Sequence, residues 1–195
     1  MSGQQNEDDL APTMTPGYKP GEKKTLEEYA QLDQNDESLK KWKESLGIGA
    51  GTAADSSDPR KVIVLQLAMD VQGRPDVVLD LSTPEAVQTS SKSPITIKEG
   101  VEYRMKILFK IQHDVVSGLK YLQAVKRMGV RVDKTEEMIG SYGPRAEPYE
   151  RKFALEEAPS GMLARGHYDV KSKFIDDDGN VHMEWDWSFD IKKDW

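Results

Sequence analysis

The chain has 195 residues, 27 Lys and Arg against 34 Asp and Glu, no cysteine, and a formal net charge of −7 at pH 7. The lack of cysteine excludes a disulfide framework, a thiolate metal site and a Cys nucleophile, which fits a reducing compartment. The acidic balance disfavours a nucleic-acid partner, and without a signal peptide or an apolar run of about 18 residues we expect a soluble, cytoplasmic protein.

The first 60 residues differ in composition from the rest. They hold 12 acidic and 7 basic residues, a net charge of −5, which leaves −2 for the remainder. Residues 1–24 are mostly Pro, Gly and polar, with too little apolar surface to offset the entropy lost on ordering. We therefore predict a disordered tail over 1–24, followed by a separate arm over 25–60.

Two short helices are predicted within this arm. The first, over 25–32, begins with the capping-box pattern "TLEE". The second begins at Asn35 or Asp36 as the N-cap and places Leu39 and Trp42 on one apolar face. Helices of this length are unstable alone in water, so each needs the protein's own body or another protein as a partner.

A flexible linker, "GIGAGTAADSSDP", follows the second helix. Its glycines at 47, 49 and 51 have the spacing of a nucleotide-binding loop. That interpretation is rejected, because the glycines follow a helix instead of a strand and no Gly-Lys-Ser/Thr completes the motif.

From Lys61 onward the apolar pattern has a period of two. Six strand-like runs, separated by turn sequences such as "QGRPD" and "DDDGN", predict an antiparallel β-sandwich of about seven to nine strands over 61–195. The runs are "KVIVLQLAMDV", "PDVVLDLS", "SPITIKEGVEYRMKILFKI", "SGLKYLQAVKRMGVRVDK", "GHYDVKSKFI" and "NVHMEWDWSFDI". The fold class is therefore all-β, with the arm and its two helices preceding the sandwich.

Two of these strands have a wide apolar face. One runs from Val101 to Ile111 with an apolar side chain at every second position, and predicts a continuous inner wall. The C-terminal strand does the same from Met183 to Ile191 and includes two Trp and a Phe. These rings are bulky for a small sandwich, so they either fill the core or line a cavity, and on this segment alone core packing is favoured.

Candidate metal sites fail on spacing. An EF-hand frame starting at Asp176 has Val181 at its sixth position instead of Gly and Trp187 at its twelfth instead of Glu. His182 and Glu184 share a strand face, but no third ligand is evident. We predict no metal and no cofactor.

Motifs for catalysis are also missing, since the sequence has no Gly-x-Ser-x-Gly and no His-Glu-x-x-His. A binding module is therefore favoured over an enzyme. A β-sandwich hydrolase or glycan-binding enzyme remains an alternative, which inward-facing carboxylates in a cleft would support. The basic residues Lys126, Arg127, Arg131 and Lys134 are interpreted as the solvated face of a hairpin.

Several long and unusual strings resemble one family, the Rho GDP-dissociation inhibitors. They include "IKEGVEYRMKILFKI", "VVSGLKYLQ", "GVRVDKTEEMIGSYGPRAEPYE", "EEAPSGMLARGHYDVKSKFIDDDGN" and "WDWSFDIKKDW". In the arm, "LDQNDESLKKWKESLG" is similar to the family's regulatory helices. The resemblance runs from about residue 25 to Trp195.

This resemblance implies an immunoglobulin-like sandwich that admits the geranylgeranyl tail of a Rho-type GTPase between its sheets, without stable insertion into a membrane. An arm on the GTPase switch regions would block GDP release and favour the GDP form. The implied prenyl-binding residues are Leu67, Ile95, Tyr103, Phe109, Val115, Val170 and Trp187. The implied GTPase-binding residues are Asp36, Leu39, Trp42, Asp177 and Asp178. A general prenyl or acyl shuttle is the alternative, and the arm speaks against it.

Overall fold

The computed structural model describes residues 10–13, 28, 36–38, 41 and 57–195. Within the last of these ranges the chain forms nine strands and one helix. The strands are β1 (Val62–Asp70), β2 (Val77–Asp80), β3 (Ile95–Lys98), β4 (Glu102–Ile111), β5 (Val116–Arg127), β6 (Val130–Tyr142), β7 (Tyr149–Glu157), β8 (Gly166–Ile175) and β9 (Val181–Lys192), and the helix is α1 (Pro84–Lys92).

The strands form two sheets, one of four strands in the order β2-β1-β4-β7 and one of five in the order β3-β9-β8-β5-β6. This confirms the predicted sandwich. The expectation of purely antiparallel pairing is wrong at one place, because β3 runs parallel to β9. Parallel neighbours cannot be joined by a tight hairpin, and in this chain five strands, β4 to β8, lie between β3 and β9.

The helix α1 was not among the predicted elements. Thr83 caps it, since its hydroxyl oxygen accepts a hydrogen bond from the Ala86 N–H at 3.2 Å, and Pro84 occupies the first turn. None of its residues is buried. A helix that is polar nearly all round leaves no apolar period in the sequence, although the Thr-Pro-Glu start is a recognisable signal.

The strand β7 and the second half of β6 were also missed. β7 is the edge of the four-stranded sheet, and of its nine residues only Tyr149 is buried. Its charged side chains hide the alternation, as is common for edge strands that must not pair with other chains. β6 continues to Tyr142, eight residues beyond the predicted end of its run.

The main core lies between the two sheets. Inward-facing side chains of β4 are buried from Met105 to Ile111, as the alternation predicts. Phe109 packs edge to face against the ring of Phe174 in the opposite sheet, with ring centroids 5.5 Å apart. The linker end is part of this unit, since the Gln112 side chain donates hydrogen bonds to the backbone oxygens of Asp58 and Arg60 at 3.0 and 2.7 Å.

A smaller apolar cluster lies on the outer face of the five-stranded sheet and involves the N-terminal segment. Leu10 is 1% exposed there and packs with Leu122, Ala124 and Ile175. These four therefore form a core of their own outside the sandwich.

Hydrogen bonds hold the same segment to β6, and Lys120 of β5 donates to the Thr13 carbonyl oxygen at 3.4 Å. The Thr13 N–H donates to Glu136 Oε2 at 2.9 Å, and Lys134 Nζ donates to the Ala11 carbonyl oxygen at 3.1 Å. Residues 10–13 thus differ from the predicted disordered tail. For the rest of 1–24, which lies outside the described residues, disorder stays a prediction.

Little of the arm is described. Asp36 Oδ1 accepts the Ser38 N–H at 2.8 Å, and Glu37 and Ser38 have helical backbone, which agrees with Asp36 as a helix N-cap. Glu28 and Lys41 also have helical backbone, whereas Leu39 and Trp42 lie outside the described residues. Across the described part of the chain, no helix is long and apolar enough to cross a membrane.

The docked segment gives a stability prediction. Leu10→Ala should lower the free energy of unfolding by about 1–2 kcal/mol, less than a truncation in the main core, because the segment can detach while the sandwich stays folded. Urea unfolding would measure this, with the exposed Ala11→Ser as the neutral control and Leu67→Ala as the core reference. A loss from Leu10→Ala as large as that from Leu67→Ala would contradict peripheral docking.

Candidate ligand cavity and acidic hairpin tip

A cavity of about 540 Å³ lies between the sheets at one end of the sandwich, a size typical of small-ligand sites. The strands define this end, because most lining residues come from the C-terminal halves of β5 and β9, the last residues of β7 and the first residues of β4, β6 and β8, with Ile97 of β3 and Pro159 beside them. Its apolar lining residues include Ile97, Tyr103, Met105, Val125, Tyr168, Trp187, Phe189 and Ile191.

Two of the seven residues implied as prenyl-binding line this cavity, Tyr103 and Trp187. Leu67, Phe109 and Val170 are buried in the main core, at 2% exposure or less. A ligand in the cavity would reach those three only if the sheets moved apart. Ile95 and Val115 are partly buried and are not part of the lining. Prenyl contact by any of the seven stays a prediction.

A chain of buried hydrogen bonds fixes the Trp187 ring. Its Nε1–H donates to Ser172 Oγ at 3.0 Å, and Ser172, which is fully buried, lies 2.9 Å from the Tyr121 hydroxyl. Tyr121 in turn donates to Gln123 Oε1 at 2.7 Å. Each of the two hydroxyls can therefore donate one hydrogen bond and accept one. All four side chains of this hydrogen-bonded chain have a partner, and the orientation of the indole is fixed.

Stacked rings extend the wall beside Trp187. Tyr168 and Phe189 are 4.9 Å apart between centroids and nearly parallel, and Phe189 lies 5.9 Å from Trp187. Trp185 and Trp187 both belong to the main core, but only Trp187 and Phe189 also line the cavity.

Sequence reasoning missed several cavity residues. Phe189 was among the three rings of the C-terminal strand predicted either to fill the core or to line a cavity, but it was not among the implied prenyl-binding residues. Gln123, Thr135 and Arg127 gave no signal, because polar residues in a strand are ordinarily assigned to the solvated face.

The carboxylates around the cavity do not form a catalytic cluster. Asp133, Glu156 and Glu157 are lining residues, but all three are exposed, and Glu156 Oε2 accepts the Tyr103 hydroxyl at 2.7 Å. Burial raises the pKa of Tyr103, and the hydrogen bond to Glu156 raises it further, so the phenol stays neutral. The inward-facing carboxylates that would support a hydrolase are therefore not found among the described lining residues.

The predicted acidic tip is the hairpin between β8 and β9. Asp176 is buried and structural: its carboxylate accepts the Asn180 N–H at 2.8 Å and lies 2.9 Å from His182 Nε2. Asp178 is exposed and Asp177 is half-buried. The negative charge of the tip that is accessible at the surface therefore belongs to Asp177 and Asp178.

Asp177 packs on the first residues of β5. Its N–H donates to the Ser117 carbonyl oxygen at 3.2 Å, and a Cβ atom on Gly118 would lie 1.7 Å from Asp177 Oδ2. Gly118 also has a φ of +60°, which L side chains rarely adopt, so both the close contact and the backbone conformation exclude a side chain here. This explains the glycine within "VVSGLKYLQ".

The cavity and the acidic tip lie at opposite ends of the sandwich. Gly118, which contacts Asp177, is near the start of β5, and the cavity residue Arg127 is at its end. At about 3.3 Å per residue, this stretch of strand spans about 30 Å. One partner can touch both sites only if it reaches along the whole sheet.

The fold and the cavity define a β-sandwich binding module with a ligand space between its sheets. A family model described as RHO protein GDP dissociation inhibitor matches residues 3–194. The Rho GDP-dissociation inhibitor of Schizosaccharomyces pombe is 49% identical over 175 residues, covering 90% of this chain and 85% of the relative. Human Rho GDP-dissociation inhibitor 1 is 47% identical over 180 residues (91% and 86% covered), and the Saccharomyces cerevisiae protein is 41% identical over 182 (90% of each). The chain belongs to the RHO protein GDP dissociation inhibitor family.

The two Trp residues of β9 form a matched pair for testing the cavity wall. Trp185→Ala should cost about 3–5 kcal/mol of unfolding free energy, as expected for a core ring. Trp187→Ala should cost clearly less, because one side of that ring already faces a cavity. Urea unfolding of both variants would measure the difference. Equal losses would mean that the whole stripe is core.

Proposed function

We propose that this protein binds geranylgeranylated Rho-type GTPases in their GDP form, slows GDP release, extracts them from membranes and keeps them in the cytosol. The carrying observation is the apolar cavity beside Trp187, in a chain of the GDP dissociation inhibitor family. The function is binding without catalysis, in agreement with the exposed and paired carboxylates around the cavity.

The cavity is the proposed site of the isoprenoid. A chain of about twenty carbons gains on the order of 10 kcal/mol or more on leaving water, at about 0.8 kcal/mol per buried CH₂. It gains nearly the same from a bilayer, so its transfer into an apolar cavity is close to neutral. Contacts with the GTPase itself must therefore bias the equilibrium toward solution.

Those contacts are proposed at the acidic tip and the arm. Asp177 and Asp178 would face basic groups of the GTPase, and the arm would add Asp36, Leu39 and Trp42. The linker before residue 57 raises the effective concentration of the arm near the sandwich, so weak contacts add up.

The distance between tip and cavity favours a GTPase over a free lipid as the ligand. A globular partner on the tip must send its lipid about 17–30 Å along the sheet, from Gln123 to Arg127 on β5, which needs roughly five to nine extended residues between its body and its lipid. A general lipid shuttle would need neither the tip nor the arm. We therefore place the second candidate, a prenyl or acyl carrier, behind the first.

The direct test is extraction from liposomes. The protein should remove a geranylgeranylated Rho-type GTPase from vesicles into the supernatant and should slow its GDP release, while the unprenylated GTPase stays largely unbound. Trp187→Ala should lower affinity for the prenylated GTPase at least tenfold, or about 1.4 kcal/mol. Equal binding of both GTPase forms would contradict a role for the cavity.

Removing the arm should separate lipid binding from GDP retention. A protein lacking residues 1–56 keeps Asp58, whose carbonyl oxygen is bound by Gln112, and should remain folded. It should still bind a geranylgeranylated peptide but no longer slow GDP release, as a nucleotide-exchange assay would measure. Full inhibition by the truncated protein would show that the arm has no part in it.

A further inference from the structure

Two exposed apolar tips lie side by side near the cavity. The turn between β5 and β6 presents Met128 at 93% exposure and Val130 at 66%, and the loop before β8 presents Met162 at 83% and Leu163 at 90%. Large apolar side chains this exposed and this close together commonly mark a contact surface.

Arg127 joins the two tips. Its guanidinium donates to the carbonyl oxygens of Leu163 and, at 2.7 Å, of Arg165. Arg165 is itself fixed by Glu99, with Nη2 and Oε1 2.6 Å apart, and the same carboxylate accepts the Gly161 N–H at 2.9 Å. The loop is therefore held rigidly against the sandwich and presents its apolar side chains without needing to fold first.

The tips are continuous with the cavity. Arg127 and Val132 of the first tip and Pro159 of the second line it. Met128, Met162 and Leu163 are exposed members of the same two tips and are not themselves lining residues. Whatever enters the cavity at this end therefore passes an exposed apolar surface.

The first tip is basic, while the exposed carboxylates of Glu156 and Glu157 precede the second tip in the chain. Residues 126–134 contain Lys126, Arg127, Arg131 and Lys134 against Asp133 alone, a net charge of +3 in a chain of −7. Met128 and Val130 of the first tip are thus apolar side chains among basic ones, which is typical of segments that lie at the surface of anionic membranes.

We propose that these two tips, the membrane-contact rim, touch the surface of an anionic bilayer while the cavity takes up its lipid. Met128, Met162 and Leu163 enter the headgroup region and the basic residues of the hairpin meet anionic headgroups. The contact is brief, because three side chains bury little area. The inference rests on the proposed function of the cavity and adds the lipid bilayer as a direct partner.

The test compares rates with affinities. The probes are a geranylgeranylated fluorescent peptide in phosphatidylcholine vesicles, with and without phosphatidylserine, and a dansylated geranylgeranyl cysteine in solution. The rim variant is Met128→Asp with Leu163→Asp, supported by a milder Met128→Ser with Leu163→Ser. Val78→Asp, on the edge strand β2 and 49% exposed, is the matched control.

The rim variants should take the peptide from vesicles at least tenfold more slowly than the parent and the Val78→Asp control, with unchanged affinity for the soluble probe. Phosphatidylserine should accelerate extraction by the parent and have less effect on the rim variants. Equal extraction rates would overturn the inference and leave the proposed function intact.

Two other outcomes also decide against the rim. If the rim variants bind a geranylgeranylated GTPase in solution more weakly than the parent does while binding the soluble probe equally well, the surface contacts protein, and the membrane role is overturned. If the parent protein does not bind the soluble probe, the proposed function itself fails, and the rim has no cavity to serve.

Discussion

The open space between the sheets depends on one buried hydrogen bond, from Trp187 Nε1 to Ser172 Oγ. If the indole tilted into the cavity, it would leave a buried N–H without a partner, which costs about 1–3 kcal/mol. Because Ser172 is also hydrogen-bonded to Tyr121, its hydroxyl cannot move with the indole and keep the bond. The Trp187 ring therefore keeps its orientation and the cavity stays open. One face of β9 thus fills the core at Trp185 and borders the cavity at Trp187.

Period-two alternation suffices to predict the sandwich, because a strand with one buried face leaves that pattern in the sequence. It fails for β7, an exposed edge strand, and for α1, which buries no residue. For the cavity, Tyr103 and Trp187 came from family resemblance, which also named core residues such as Phe109. Gln123 could not be predicted, since alternation shows which side faces inward but not where the sheets leave a gap.

The acidic tip and the basic hairpin lie at opposite ends of the sandwich, and this difference in charge orients the molecule at a charged surface. The acidic tip at Asp177 and Asp178 lies about 30 Å from the basic hairpin beside the cavity. Screening in physiological salt acts over about 8 Å, so each end interacts with its surroundings independently of the other. An anionic surface attracts the basic hairpin and repels the acidic tip, which leaves the tip facing solution, where the body of a lipid-anchored GTPase is found.

Equilibrium and rate then depend on different parts of the protein. A bilayer and an apolar cavity solvate an isoprenoid about equally well, so the proposed tip and arm contacts decide how much GTPase is held in solution. The rate has a different limit: a lipid of about twenty carbons crossing water would meet a barrier on the order of 10 kcal/mol. A rim that touches the bilayer beside the cavity lets the chain move from one apolar medium to another without full exposure to water. Such a contact lowers the barrier in both directions, so it speeds delivery to membranes as much as removal from them and leaves the final distribution to the protein contacts.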